Sequence, residues 1–102
     1  KLSFAHIEDG SGKVQLFLPN SSSLKDKRQT IKSIISRIRK RFNISICEAN
    51  YHDLWQRSEL GFAAACNAYA DADPMLEAIN KTIDYYADVC EVTEIDWQII
   101  TD

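Results

Sequence analysis

Residues 50 to 61 read Asn-Tyr-His-Asp-Leu-Trp-Gln-Arg-Ser-Glu-Leu-Gly, which gathers an imidazole, two acids and a guanidinium between apolar runs. His52 beside Asp53 offers the two groups from which a general base and its orienting carboxylate are built. Neighbours on an extended segment point apart, however, and no Ser or Cys stands at a spacing that places a nucleophile beside them. His52 therefore reads as a surface loop residue. Glu48 and Glu59, at the two ends of the stretch, are suited to pair with Arg57 or with a basic helix, and as metal ligands they lack a His at ligand spacing. Trp55 belongs to no periodic pattern. It is either a plug over the end of a sheet, with Asp53 and Arg57 tying the loop down, or an anchor that grips a partner together with Asp53, Gln56 and Arg57.

A second chemical candidate is Gly12-Lys13-Val14-Gln15, which is similar to the phosphate-cradling loop of acylphosphatases. The likeness stops there, because Leu16-Phe17-Leu18-Pro19 follows without the Gly and Arg that would hold a phosphoryl group. Cys47, Cys66 and Cys90 are odd in number and widely spaced, so neither a disulfide framework nor a zinc site is expected. Cys47 and Cys66 fall within strand patterns and read as small core residues. No cofactor is implied.

Charge supplies the third candidate. The net charge is -3, yet between Leu24 and Arg41 eight Lys and Arg stand against one Asp, and from Asp71 to Asp102 nine acids stand against Lys81. At ~100° per residue, Lys25, Arg28, Lys32 and Arg39 share a ~60° sector beside the apolar face of a helix, with Lys27 close in sequence. Two readings stay open for this ridge. It is a solvated helix face partly neutralised by acids of the second helix, or it follows a phosphate backbone through Lys25, Lys27, Arg28, Lys32 and Arg39.

The elements that must position these residues follow from periodicity. Val14, Leu16 and Leu18 alternate with Lys13, Gln15 and Phe17 as a strand that ends at Pro19. Upstream, Asp9-Gly10-Ser11-Gly12 is either a hairpin turn or a bulge within one long strand, so residues 1–12 form an extension or hairpin of undecided pairing. Ser22 or Ser23 caps a first helix whose apolar stripe is Leu24, Ile31, Ile34, Ile35, Ile38 and Phe42. Ile44 and Ile46 mark a second strand, and Leu60, Phe62, Ala64 and Cys66 a third. Asp73-Pro74 opens a second helix through Leu76, Ile79, Ile83 and Tyr86, and Ile95, Trp97 and Ile99 mark the last strand.

The order is β-α-β-β-α-β, which predicts a single α+β domain over 1–102 of ferredoxin-like type: a four-stranded antiparallel sheet with two helices on one face. The first and third strands are expected at the centre. Gly61, Ala63 and Ala65 would then lie on the open face, a flat apolar surface expected to be covered by a second copy in a homodimer or higher oligomer. That face lacks the paired aromatics of a base-stacking sheet. No apolar run approaches the ~18 residues of a membrane span. The chain opens on Lys1 without a signal-like segment, so a natural start further upstream and a cytoplasmic setting are expected.

Ser23-Leu24-Lys25-Asp26-Lys27-Arg28, Arg41-Phe42-Asn43-Ile44-Ser45 and Asp53-Leu54-Trp55-Gln56-Arg57, in that order and spacing, resemble the YlxP-like family of small bacterial proteins of unknown function. The likeness spans roughly residues 13 to 100 and departs from the family at the N-terminus, where Asp9 to Gly12 interrupt the usual short apolar strand. It implies a ferredoxin-like fold, frequent self-association and a genomic setting among translation and ribosome-maturation genes. It brings no catalytic residues. The expectation is thus a non-catalytic domain that meets ribosomal RNA or the small ribosomal subunit. A self-associating structural domain without a nucleic-acid role is the alternative, and an acylphosphatase-like hydrolase is third.

Overall fold

Alternating apolar residues in four segments and an apolar stripe at helical spacing in two give six elements, seen in a computed structural model that describes residues 8–66 and 72–101. They are β1 (Glu8–Phe17), α1 (Leu24–Arg41), β2 (Ser45–Asn50), β3 (Arg57–Cys66), α2 (Ala72–Asp84) and β4 (Glu91–Thr101). The sheet order is β2-β3-β1-β4 with every neighbour antiparallel, so β1 and β3 are central as the ferredoxin-like reading requires. Asp9 to Gly12 form neither a hairpin nor a bulge. β1 runs straight through them, paired from Glu8 to Phe17 with β3, and its one register shift lies against β4 between Gln15 and Leu16. Phe4 and His6 lie outside the described residues.

The pleat sends Val14 and Leu16 of β1, Ile46 of β2 and Leu60 and Phe62 of β3 to one face. There they meet Ile31, Ile34 and Ile38 of α1 and Ile79 and Ile83 of α2 in a single core. Trp97 and Ile95 close its β4 side as half-buried residues. Removing each of these large aliphatic side chains from water stabilises the fold by about 1.5–3 kcal/mol, which is what fixes the register of the sheet. Ala63 and Ala65 lie on the other face and are exposed.

Of the two candidate caps for α1, Ser23 is the one used: its Oγ accepts the Asp26 N–H at 3.0 Å. The Asp26 carboxylate in turn accepts from the Ser22 hydroxyl at 2.7 Å and the Ser22 N–H at 3.2 Å. The bonds from Ser22 hold the Asp26 carboxyl below its ordinary range. The contribution of this cap is therefore complete above the ordinary carboxylate pKa and fades as pH falls through the lowered one.

Gly12 is needed where β1 passes between the rings of its neighbours. A Cβ there would come within 2.6 Å of the Asp96 carbonyl and of Trp97 Cβ, and within 2.8 Å of the Phe62 ring. At Gly10 the nearest atom is Met75 Cε at 3.7 Å, an ordinary contact. Gly12→Ala should therefore destabilise by about 2–3 kcal/mol in urea unfolding, through overpacking. Gly10→Ala should stay within about 0.5 kcal/mol of wild type. Similar effects at the two positions would show that the slot at Gly12 is not what the packing demands.

Candidate nucleic-acid interface

Seen along its axis, α1 has an apolar stripe of Ile31, Ile34 and Ile38, and Lys27 stands on that stripe, one helical step before Ile31. The structure accordingly withdraws Lys27 from the basic ridge. Its side chain is fully buried. Nζ donates to the carbonyls of Tyr51 at 2.7 Å, Arg57 at 3.2 Å and His52 at 3.3 Å, and forms an ion pair with Glu48 Oε2 at 3.1 Å. Ser58, also fully buried, donates its hydroxyl to the same carboxylate oxygen at 2.5 Å. Four oxygens surround the ammonium, which offsets the cost of taking it out of water.

A signal for this network was present in the sequence. Glu48 is two residues from Ile46 on β2 and directly opposite Leu60, and Ser58 is two residues from Leu60 on β3. Both polar residues are thus in phase with the core, as Lys27 is on its helix. Reading Lys27 by charge rather than by phase is what placed it on the ridge. The same phase argument corrects Cys47, which alternates with the buried Ile46 and is exposed instead of lying in the core. Cys90 is buried, and desolvation pushes its thiol up to about 11.

The β2–β3 loop, residues 51–56, is built on this ammonium. Tyr51 adopts a left-handed backbone with φ of 64°, costly for a bulky residue, and its carbonyl takes the shortest of the Lys27 bonds. The Arg57 guanidinium lies 4.5 Å from the centre of the Tyr51 ring. Leu54 N–H closes a turn on Tyr51, and Leu18 N–H donates to the Gln56 carbonyl at 2.8 Å. Gln56, a candidate partner contact, spends its amide on the carbonyls of Pro19 at 3.0 Å and Ser21 at 3.4 Å, bracing the loop against the entry to α1. His52 Nε2 donates to the Glu48 carbonyl at 3.0 Å, so its ring caps an edge-strand carbonyl rather than facing Asp53 as a catalytic pair. Asp53 is exposed.

Of the two alternatives for Trp55, the plug does not fit the geometry: the residue is 55 % exposed, and Leu54 beside it is 45 % exposed. The loop is held from below, and its largest apolar side chains face outward.

Lys25, Arg28, Lys32 and Arg39 are all exposed, on the edge of α1 that faces β2. Arg39 crosses to that strand and donates to the Ile46 carbonyl at 2.8 Å. The expected neutralisation by acids of α2 is not seen among the described residues, whose ion pairs are Lys27 with Glu48 and Lys81 with Glu77. On the opposite edge, Arg37 stacks 4.1 Å from the Tyr85 ring and donates to the Tyr86 hydroxyl at 3.2 Å, and that bond raises its pKa. Through Lys27 the loop is tied to the helix that carries the ridge.

Elsewhere, Gly12 to Gln15 lie inside β1, paired on both sides, so their backbone N–H groups serve the ladder and form no phosphate cradle. Glu59 pairs with neither Arg57 nor the basic helix. It lies opposite Gln15 on the open face and accepts from the Gln15 amide. Among the described residues no three His, Cys, Asp or Glu converge to hold a metal ion, and no helix is long and apolar enough to cross a membrane.

Replacing Lys27 with Met should cost about 3–5 kcal/mol, since it leaves a half-buried carboxylate and three carbonyls without their cation. Amides of residues 52–56 should lose hydrogen-exchange protection before the core does. A loss in stability with unchanged loop exchange would show that the ammonium does not hold the loop.

Comparison with known proteins gives the same frame. Residues 10–97 match the model of a family described as a protein of unknown function, DUF503. The chain is 30% identical over 89 residues to the uncharacterized protein YlxP of Bacillus subtilis (strain 168), a match covering 86% of this chain and 97% of that one. Among solved structures it is similar to the de novo designed protein Foldit4, with a TM-score of 0.54, 12% identity, and coverage of 92% of this chain and 98% of the other. It is also similar to the designed protein LFR1 1 with ferredoxin fold, at TM-score 0.53 and 12% identity, covering 91% and 83%. A C-terminal segment of the alpha subunit of aIF2 from Pyrococcus abyssi shares the fold at TM-score 0.51 and 14% identity, covering 94% of this chain and 51% of that one. These structures speak for the ferredoxin-like fold alone, and the matched residues assign the chain to the DUF503 family, whose relative YlxP has no described function.

Proposed function

We propose that this chain is a non-catalytic, cytoplasmic RNA- or ribosome-associated domain, acting in ribosome maturation or translation. The observation that carries the reading is the row of Lys25, Arg28, Lys32 and Arg39, exposed along one edge of α1 and free of ion pairs among the described residues. Cations set along one edge of a rigid helix can follow a phosphate backbone, and an acidic C-terminal third disfavours polyanions elsewhere on the chain. The family resemblance, with its implied setting among translation and ribosome-maturation genes, points to ribosomal RNA or the small ribosomal subunit as the partner. Lys27 has no part in the contact. Trp55 and Arg57 serve as the anchor on the neighbouring loop.

Binding to small-subunit ribosomal RNA should weaken roughly fifty- to 150-fold between about 50 mM and about 200 mM salt, as expected for about four phosphate contacts. Charge reversal at Lys25, Arg28 and Lys32 should abolish it. Unchanged binding in that triple variant would refute the ridge as the contact surface.

A second reading, self-association through the open sheet face, is favoured by exposed Ala63 and Ala65 and by a trough of about 730 Å³ across the strands between Cys47 and Gln98. Sedimentation equilibrium distinguishes it: a chain that stays monomeric at high concentration leaves that face unpartnered by its own kind.

A further inference from the structure

The side of α1 that carries the ridge does not meet β2 flush. Between them runs a groove of about 450 Å³, with Lys32, Ser36, Arg39 and Lys40 on the helix wall and Ile46 and Cys47 on the strand wall. Groove and loop are continuous, because β2 passes from the groove directly into the loop and His52 is bonded back to Glu48, which also borders the groove. From this geometry we infer that the groove takes the sugar-phosphate backbone of single-stranded RNA and that Trp55 stacks on one of its unpaired bases. The inference rests on the RNA reading above and narrows it to one form of RNA and one path.

Three observations carry it. The first is charge: Lys32, Arg39 and Lys40 line a cleft that a flexible strand can enter, whereas the phosphates of a duplex lie on a rigid convex cylinder. The second is the exposed Trp55 on a loop braced by Lys27 and Gln56, a fixed aromatic platform that any unpaired base can cover and a paired base cannot. The third separates RNA from the other occupant of such a groove, an extended acidic peptide adding as a fifth strand. Strand addition needs the outer carbonyls of β2, and those of Ile46 and Glu48 are already taken by Arg39 and His52. A backbone of phosphates needs only the cations.

The test uses the full chain with Trp97→Phe, which leaves Trp55 as its one indole, titrated with an oligouridylate of about ten nucleotides, a hairpin duplex of equal phosphate count, and polyglutamate. Should the W97F protein not fold, fluorine NMR of 5-fluorotryptophan in the wild-type chain reads the two indoles separately. The oligouridylate should quench Trp55 and bind at least about tenfold tighter than the duplex. Trp55→Ala should weaken binding about tenfold without altering the salt slope. Lys32→Gln with Lys40→Gln should instead lower that slope by about 1.4. Equal affinity for duplex, or binding that leaves Trp55 unaffected, overturns the single-strand inference while RNA association itself stands. Displacement by polyglutamate at equal charge overturns it in favour of an acidic protein. Absence of binding to any RNA at low salt removes both this inference and the functional reading beneath it.

Discussion

One ammonium group joins the parts of this molecule that matter. Lys27 Nζ lies at the meeting point of α1, the end of β2, the start of β3 and the loop between those strands, and it bonds to a carboxylate and three carbonyls. Three donors shared among four oxygens suit a compact ammonium, which can turn to divide its protons. A planar guanidinium with its fixed fork would have to displace some of them. The cost of burying the charge is offset only while all of these partners stay in place, so helix, edge strand and loop are coupled in their positions. The left-handed turn at Tyr51 persists in that setting because its carbonyl is the best-bonded of the three.

The consequence for the surface is a helix with two unlike edges. Towards β2 it shows cations to open solvent, and towards the turn after α2 it lays an exposed guanidinium on aromatic rings, with Arg37 against Tyr85 and its Nε on the Tyr86 hydroxyl. Residues of the same type a few positions apart therefore do different work. Lys27 holds the fold together, Arg37 fastens α1 to the turn after α2, Arg39 shields a strand edge while its side chain stays exposed, and Lys25, Arg28 and Lys32 are exposed without an ion pair among the described residues.

The architecture was legible in the sequence because its signals are periodic and agree with one another. Val14-Leu16-Leu18, Leu60-Phe62-Ala64 and the Ile31-Ile34-Ile38 stripe each select one face, and six such elements in β-α-β-β-α-β order leave little choice of topology. Two aspects were less legible. Asp9-Gly10-Ser11-Gly12 has the composition of a turn, yet pairing on both sides keeps it extended, since tertiary hydrogen bonding outweighs local preference. The loop was the harder case. Trp55 breaks the pattern in sequence because nothing in the core holds it, and Gln56, which looks like a free polar contact, is a strut for reasons that only the distant Pro19 and Ser21 carbonyls reveal. Periodicity reports which face a residue takes, and it says nothing of side chain to backbone bonds spanning more than thirty positions.

The capping of the β2 edge has an outcome for how this protein behaves in a crowded solution. An exposed strand edge invites the edges of other chains, and most folds deter them with a covering segment, a proline or a bulge. Here β2 is short and shifts register against β3 between Glu48 and Asn50, and two side chains, Arg39 and His52, add to that deterrent by covering its outer carbonyls. Such a guard is reversible: a polyanion that draws the guanidinium away uncovers a carbonyl in the same moment that it occupies the space above it. Pairing at this edge and the approach of an anion to it are thereby tied to the same arginine.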